Sequence, residues 1–353
     1  MKQTLCTLLS ACLTLSAMAQ QPTEESAGNR PNGAAFYKPE ISGTIRAKHE
    51  WQTETGKARF QVHTARVAIE GKVLPTVGYK AEIDLSDKGK IRMLDAYAGF
   101  NPNERWGLKI GQMRVPFTID AHRSPHEQYF PNRSFIAKQV GDVRDVGLSG
   151  LYKPNTPFPI VLEAGIFNGS GLTHQNNFWT NNINFSAKAQ LFFPGGINLT
   201  LSVQKIRPDA TNIMMYDAGA YWERGRLHIE AEYLHKRYAN KAFDAVNAVN
   251  LFAVYDIPVR HKILEKLSPL VRFDYMDDHS DGFRYLDGKQ NTAGKLIAND
   301  GQRSRLTAGI TLHLGLLHAS ELRINYEKYF YKDLMSALPS ERDKTVVELM
   351  VHF

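Results

Sequence analysis

The feature that most limits what this chain can fold into is an alternation of apolar and polar residues with a period of two. The stretch GINLTLSVQ over 196–204 alternates Ile, Leu, Leu and Val with Asn, Thr, Ser and Gln. Similar stretches lie at 41–51, 218–233, 305–315 and 320–329. Successive side chains of a strand point to opposite faces, so each stretch is predicted to be a β-strand with one apolar face. The sequence therefore predicts an all-β protein.

The polar face of these strands carries a charged residue at nearly every step. Such a face cannot form the dry core of a soluble sandwich, because burying unpaired charges is too costly. A closed transmembrane antiparallel β-barrel with a wet lumen places the apolar face in lipid and the charged face in water. It also leaves no sheet edge unpaired. The charges that this alternation assigns to the lumen are Arg46, Lys48, Arg66, Lys80, Lys109, Lys188, Arg226, Arg272, Arg305, Arg323, Glu50, Glu70, Glu82, Asp84, Asp217, Glu230, Glu232, Asp274, Glu321 and Glu327.

The number and spacing of the strands support the same architecture. We count about 16 strands, joined alternately by tight turns and by longer polar segments, which is typical of an outer-membrane barrel. We predict a barrel domain over 40–353, preceded by a polar leader over 20–39. The tight turns are predicted at Gly71-Lys72, Gly195-Gly196 and Arg224-Gly225, and the long connections at 116–143, 168–182, 207–212 and 277–302.

The first residues have the layout of an export signal. MKQTLCTLLSACLTLSAMAQ has one lysine, an apolar run and then Ala17-Met18-Ala19, so we predict a signal peptide over 1–19. An alternative is a lipoprotein cleavage box that ends at Cys12. The only other cysteine, Cys6, is in the same segment, so the exported chain would have no disulfide or thiolate chemistry. No later apolar run reaches the roughly 20 residues of a spanning helix.

The chain ends on TVVELMVHF, which places Val347, Leu349, Val351 and Phe353 on one face of a strand. Terminal residues of soluble domains usually fray, so an apolar last strand indicates a paired end. In a closed barrel the last strand pairs with the first. We interpret Leu349, Val351 and Phe353 as an assembly signal that the barrel assembly machinery reads.

Two longer stretches resemble the phosphate-selective porin O and P family of Gram-negative outer membranes. Residues 108–150 contain a strand that runs into G-Q-x-x-x-P-F, a charged loop and an R-D-V-G strand start, and residues 163–194 contain F-N-G-x-G. The resemblance implies a trimeric porin of about 16 strands. It also implies that the third loop, here Phe117–Val143, folds into the lumen and narrows it.

These features predict passive diffusion of small hydrophilic solutes, filtered by size and by the charges at the narrowing. The net charge of +7 biases the pore only weakly toward anions such as phosphate, because charges of both signs are assigned to the lumen. The predicted anion path consists of Arg114, Arg123, Arg133, Lys138 and Arg144 near the loop and Arg46 and Lys48 on the first strand, opposed by Asp120, Glu127, Asp142 and Asp145.

Catalytic and metal sites have less support. The sequence has no G-x-S-x-G elbow, Walker loop or zinc motif, so we expect neither catalytic residues, nor a cofactor, nor a metal. His122 and His126 are separated by the helix-breaking Pro125, and the aspartates between 274 and 281 lack the closing Glu of a regular calcium loop. A plugged structural or adhesive barrel stays open as an alternative, and an outer-membrane enzyme has less support.

The expected partners follow from this location and fold. They are outer-membrane lipid and lipopolysaccharide, the barrel assembly machinery, small hydrophilic or anionic solutes and two further copies of the chain. No nucleic-acid partner is expected.

Overall fold

The computed structural model describes residues 38–87, 90–141, 143–169, 179–209, 211–285, 295–315 and 319–353. The predicted signal peptide, the lipoprotein alternative at Cys12, most of the predicted leader and Asp142 lie outside the described residues.

Within the described residues the structure is almost entirely β-sheet. Four short helical turns lie at Asp120–His122, Ala137–Gly141, Ala239–Lys241 and Leu334–Ser336. The strands are β1 (Glu40–Gln52), β2 (Ala58–Leu74), β3 (Val77–Asp87), β4 (Lys90–Asn103), β5 (Trp106–Arg114), β6 (Arg144–Tyr152), β7 (Ile160–Phe167), β8 (Asn184–Phe193), β9 (Ile197–Ile206), β10 (Ile213–Arg224), β11 (Leu227–Tyr238), β12 (Val246–Tyr255), β13 (Ile257–Pro258), β14 (Leu264–Met276), β15 (Arg284–Tyr285), β16 (Lys295–Leu296), β17 (Arg303–Leu314), β18 (Ala319–Tyr331) and β19 (Lys344–His352).

The sheet closes on itself as an antiparallel barrel. Each barrel strand pairs with its neighbour in the sequence, and β19 pairs with β1. The two-residue β13 continues β12 beyond Asp256 on the same partner, β14, and β15 and β16 form a separate ribbon. The barrel therefore has sixteen strand positions, which confirms the predicted all-β fold class.

Most of the long connections lie at one end of the barrel. The connections at 115–143, 168–183, 207–212, 239–245, 277–302 and 332–343 share this long-connection end with the short β1–β2 turn at 53–57. The turns at 75–76, 104–105, 194–196 and 225–226 lie at the other, short-turn end, with the beginning of β1 and the end of β19. One predicted turn is wrong, because Gly71-Lys72 lies inside β2 and the chain turns at Pro75-Thr76. Gly71 instead makes room for a neighbouring ring, since a Cβ there would lie 2.8 Å from the Tyr79 hydroxyl.

The two faces of the strands are exposed as the alternation predicts. On β1 the charged side chains of Arg46, Lys48 and Glu50 are buried inside the barrel, whereas Ile45 and Trp51 are exposed outside. The outer face carries apolar residues. Among the described residues no helix is long and apolar enough to cross a membrane.

Aromatic residues mark the short-turn end of the outer face. The rings of Trp106 and Tyr152 stack with their centroids 4.2 Å apart, and the Trp222 indole donates to the Gly195 carbonyl at 3.2 Å. Amphipathic rings of this kind are typical of the boundary between lipid and water.

The end of the chain is paired at the barrel seam. The Gly43 and Phe353 backbones exchange hydrogen bonds of 2.8 and 3.0 Å. The Phe353 ring packs over Gly43, where a Cβ would lie 2.4 Å from the ring. The last residue is therefore held on the outer face of the sheet, as the interpretation of the terminal strand requires.

The apolar core lies inside the barrel near its long-connection end, which the alternation did not predict. Residues of the 115–143 connection pack there on inward-facing side chains of the strands. Near this end of the strands the inward-facing positions are apolar instead of polar. The fully buried members of the core include Phe117, Phe135, Ile136, Val140, Ile213, Met215, Leu234, Val246, Ala248 and Met276.

Candidate functional site

The candidate site is formed by the connection between β5 and β6 and by the inward-facing side chains around it. We call residues 115–143 the β5–β6 segment. Its two ends are joined by a hydrogen bond of 3.0 Å from the Val115 amide to the Val143 carbonyl. Between them the described residues contact inward-facing side chains of β1, β9, β11, β14, β17 and β18.

The beginning of the segment is fixed to β9, β10 and β11. The Thr118 amide donates to Ser202 Oγ at 3.1 Å, and the Ile119 amide donates to Glu232 Oε1 at 2.5 Å. Thr118 has a left-handed φ of 61°, and the Ile119 side chain lies against Gly219, where a Cβ would be 2.5 Å from Ile119 Cδ1. Gly219 thus provides the space that lets the segment approach the wall.

Arg123 joins the segment to β11. Its guanidinium makes two hydrogen bonds to Glu230, of which the one to Oε1 is 2.8 Å long, and it lies 3.3 Å from Asp120 Oδ1. Burial alone would lower the pKa of Arg123, but Glu230 raises it well above the ordinary value. The guanidinium therefore remains charged and forms a buried ion pair.

Arg46 and Lys48 of β1 hold the middle of the segment. The Arg46 guanidinium donates to the Pro131 carbonyl at 2.8 Å, to the Gln128 side chain and to Glu348 Oε1 at 2.8 Å. Lys48 Nζ donates to Asn132 Oδ1 at 2.7 Å. Both cations therefore connect the first strand to the segment.

Two further arginines hold the same part of the segment from β14 and β17. Arg272 donates to the Asn132 carbonyl at 2.9 Å, and Arg305 donates to the Arg133 carbonyl at 2.8 Å. Both guanidiniums also pair with Asp274, at 2.9 and 2.8 Å. Sequence reasoning placed these residues in the lumen but did not identify them as holding the segment.

Lys138, Arg144 and Arg114 lie around the ends of the segment. Lys138 forms an ion pair with Glu341, which also pairs with Arg303 at 2.6 Å. Burial would raise the pKa of Glu341, but Lys138 and Arg303 lower it below its ordinary value. Arg144 pairs with Asp95 at 2.7 Å on β4, and Arg114 donates to the Arg123 carbonyl at 3.1 Å.

The structure thus brings Arg46, Lys48 and Arg123 together with the segment and distributes the other predicted cations around it. Arg133 is half-buried, and its carbonyl accepts the hydrogen bond from Arg305. Sequence reasoning missed Glu341 and Glu348, and it assigned Glu230, Asp274 and Glu327 to the lumen without identifying their partners. Alternation could show that most of them face inward, but not which cation each one meets.

The inward-facing charges fall into two groups. The covered wall consists of β1, β9–β12, β14 and β17–β19, where side chains such as Glu230 and Arg323 are completely buried. The open wall consists of β2–β5 with β7. Its side chains Lys80, Lys109 and Glu70 are 16%, 22% and 39% exposed, although Glu82, Asp84 and Asp95 on the same strands are buried. The ion pairs Lys80–Glu70 and Lys109–Glu163 are long, at 3.7 Å, whereas Arg66 lies 3.2 Å from Glu82.

The candidate metal residues do not converge. His122 Nε2 lies 2.8 Å from the Val115 carbonyl, whereas the His126 ring stacks on His352 with centroids 3.7 Å apart. Asp274 pairs with arginines, and Asp277 accepts hydrogen bonds from Asn247. In the part of the chain that the structure describes, no three His, Cys, Asp or Glu side chains are grouped to hold a metal ion.

Solved structures with a similar fold are outer-membrane proteins. The anion-selective porin from Comamonas acidovorans has 12% sequence identity and a TM-score of 0.61, over 89% of this chain and 98% of that one. The outer membrane channel DcaP of Acinetobacter baumannii has 14% identity and a TM-score of 0.59, over 89% and 96%. The trimer form of OmpT of Vibrio cholerae has 9% identity and a TM-score of 0.59, over 90% and 99%.

Sequence comparison adds the family. No curated protein matches the chain in sequence. The family model for phosphate-selective porin O and P matches residues 45–254, which is more than half of the chain. This match agrees with the closed barrel, the apolar outer face and the charged interior described above. The chain therefore belongs to the phosphate-selective porin O and P family and is an outer-membrane porin.

Proposed function

We propose that solutes cross this porin through an off-centre passage between the β5–β6 segment and the open wall. The observation that carries this proposal is the difference in burial between the two walls. The segment is hydrogen-bonded to the covered wall from β1 to β18, while Lys80, Glu70 and Lys109 of the open wall keep contact with solvent. A narrow passage with charges on one side filters solutes by size and by electric field.

We further propose a mild preference for anions, as the sequence predicted. The passage would be lined by Arg66, Lys80 and Lys109, whose charges are balanced by Glu70, Glu82, Asp84 and Glu163. The basic charge that supports the preference lies instead around a cavity of about 440 Å³ at the long-connection mouth. Its charged lining residues are Lys57, Arg59, Arg342, Lys344 and Glu50. The family name and the anion-selective porin from Comamonas acidovorans support the same direction.

Single-channel recording in planar bilayers tests both statements. We expect discrete conductance steps and a reversal potential in a salt gradient that indicates modest anion selectivity. A cation-selective reversal potential would refute the preference. If the correctly folded protein shows no conductance, the passage would be refuted and the plugged barrel favoured. The complete burial of side chains on the covered wall would then be part of the plug. We propose no enzymatic activity.

We propose that the porin is a homotrimer in the outer membrane, where it also contacts lipopolysaccharide. The trimer form of OmpT supports this assembly for the fold. Native mass spectrometry of protein extracted in mild detergent should show three chains per particle. A monomer under conditions that keep the barrel folded would contradict the proposal.

We propose that Phe353, Val351 and Leu349 form the signal that the barrel assembly machinery reads. Phe353 is half exposed on the outer face, and its ring covers the seam at Gly43. Replacing Phe353 with Asp should lower the yield of heat-modifiable barrel in the outer membrane and leave unassembled chain in the periplasm. The conservative variant Phe353→Tyr should assemble normally, and normal assembly of Phe353→Asp would contradict the proposal.

A further inference from the structure

The outer wall over β5–β9 contains an apolar groove of about 540 Å³. Its floor is one row of directly paired residues, in which Gly150 lies opposite Ala164 and Ala164 lies opposite Ala187. Leu108 and Val203 close the two ends of this row. The rows above and below it carry bulky side chains, which are Ile110, Leu148 and Ile166 on one side and Trp106, Tyr152 and Leu162 on the other.

The groove faces the surroundings of the barrel rather than the lumen. Leu108, Leu162 and Ala164 are exposed, whereas the inward-facing Ser149 on the neighbouring row is buried. Its volume lies within the range of about 300 to 1,000 Å³ that is usual for binding pockets. The surface is therefore concave and apolar in the region that the barrel presents to lipid.

The end of the groove near the short turns has a different chemistry. The stacked rings of Trp106 and Tyr152 form its rim, and the next residue on each strand is a cation, Arg105 and Lys153. The two are neighbours, because the Lys153 amide donates to the Arg105 carbonyl at 2.8 Å. Neither cationic side chain forms an ion pair with any residue in the described ranges. The groove thus passes from an apolar floor through aromatic rings to two positive charges.

We propose that this groove is a specific binding site for one phospholipid molecule. An acyl chain would lie on the row Gly150, Ala164 and Ala187, and the phosphate would meet Arg105 and Lys153. Long cationic side chains near the end of a spanning element extend to the interface, where they bind anionic headgroups. Short turns of outer-membrane barrels face the periplasm, so the lipid belongs to the inner leaflet.

Lipid retention in native mass spectrometry tests the floor of the groove. The folded porin is extracted from vesicles of phosphatidylethanolamine and phosphatidylglycerol and washed in mild detergent. We expect one phospholipid to remain bound per chain. The double variant Ala164→Leu with Ala187→Leu should lose it, while Ala231→Leu with Ala308→Leu, at exposed outer positions of β11 and β17, should retain it.

Gly150→Ala provides a second variant that is compatible with the fold. A Cβ at Gly150 would lie 3.5 Å from Leu108 Cδ2, which is an ordinary contact, so the methyl group partly fills the groove without strain. We expect severalfold lower retention of the lipid than in the unmodified porin. Equal retention in all variants would overturn the proposal.

Fluorescence quenching tests the charged end. Trp106 is kept as the only tryptophan by changing Trp51, Trp179 and Trp222 to Phe. Brominated phosphatidylglycerol should quench it at severalfold lower mole fraction than brominated phosphatidylcholine, and Arg105→Gln with Lys153→Gln should remove this difference. Equal quenching by both lipids in the parent would refute a headgroup contact. If neither brominated lipid quenches Trp106, and if Ala164→Leu with Ala187→Leu changes the oligomeric state, the groove would instead be assigned to a second copy of the chain.

Discussion

The covered wall and the open wall carry similar residues in very different surroundings. On the covered wall Arg323 and Glu348 are completely buried and lie 3.1 Å apart. On the open wall Lys80 and Glu70 are 3.7 Å apart, and Glu70 is 39% exposed. Breaking a buried ion pair destabilises the fold strongly. An exposed pair contributes little to stability, but its electric field extends into the solvent. The charges most able to act on a passing solute are therefore those on the open wall.

This difference changes which residues should control selectivity. Arg46, Lys48, Arg123 and Lys138 face or belong to the predicted narrowing. In the structure each of them has a carboxylate partner, and Arg46, Lys48 and Arg123 are also buried. Their main effect should be on the position of the β5–β6 segment.

The largest expected effect comes from removing one partner of a buried pair. Glu230→Ala removes both hydrogen bonds of the buried Arg123 guanidinium to Glu230 and leaves it only Asp120, 3.3 Å away, which should cost about 3 kcal/mol of unfolding free energy. The matched variant Glu70→Ala on the open wall should cost about 0 to 1 kcal/mol. Urea unfolding in lipid vesicles measures both. Equal losses would mean that the two walls do not differ as described.

The next effect concerns the tolerance of inward positions to charge. Leu201→Arg on the lipid side should destabilise the barrel by about 2 to 4 kcal/mol if the site is near the midplane. Gln61→Arg, at an exposed inward position of the open wall, should be nearly neutral. Thr200 and Thr311, which alternation alone would treat as free lumen positions, are buried. Thr200→Arg should therefore destabilise the barrel clearly more than Gln61→Arg.

A smaller effect is expected on ion selectivity. Lys80→Glu with Lys109→Glu reverses two charges of the open wall and should shift the reversal potential toward cations, with a severalfold change in the permeability ratio. Arg284→Glu with Lys295→Glu, in the 277–302 connection, is the matched control and should change it much less. A larger shift from the control pair would place the selective charges at the mouth instead of the passage.

The smallest effect is a pH dependence at the stacked histidines. Burial and the neighbouring His352 lower the pKa of His126 from 6.5 to about 4, and Glu321, Arg323 and Lys80 also act on it. Because the unfolded chain binds this proton more readily, the stabilising contribution is complete above pH 6.5 and declines as the pH falls toward 4. His126→Phe should flatten that part of the pH–stability curve. An unchanged slope would show that other groups cause the decline.

Sequence reasoning succeeded where the information is local. Alternation assigns Arg46 to the inside and Ile45 to the outside from neighbouring residues alone. It could not find the partner of Arg123, because Glu230 is 107 residues away. Alternation also predicts a uniformly polar interior. Val246 and Ala248 of AVNAVNLF nevertheless lie on the inward face, in the same apolar core as Phe135. Such residues are indistinguishable from lipid-facing ones until the strand register is known.

The seam between β1 and β19 also determines the order of folding. The Arg46–Glu348 pair joins residues 302 positions apart, so it forms only after the last strand has been exported. The same Arg46 guanidinium binds the Pro131 carbonyl of the β5–β6 segment. Contacts at such long separation form late, because the entropy of closing the chain must be overcome first. The contact of Arg46 with Pro131 closes a loop of 85 residues and its contact with Glu348 closes one of 302, so we expect the segment to reach the first strand before the two ends of the sheet meet.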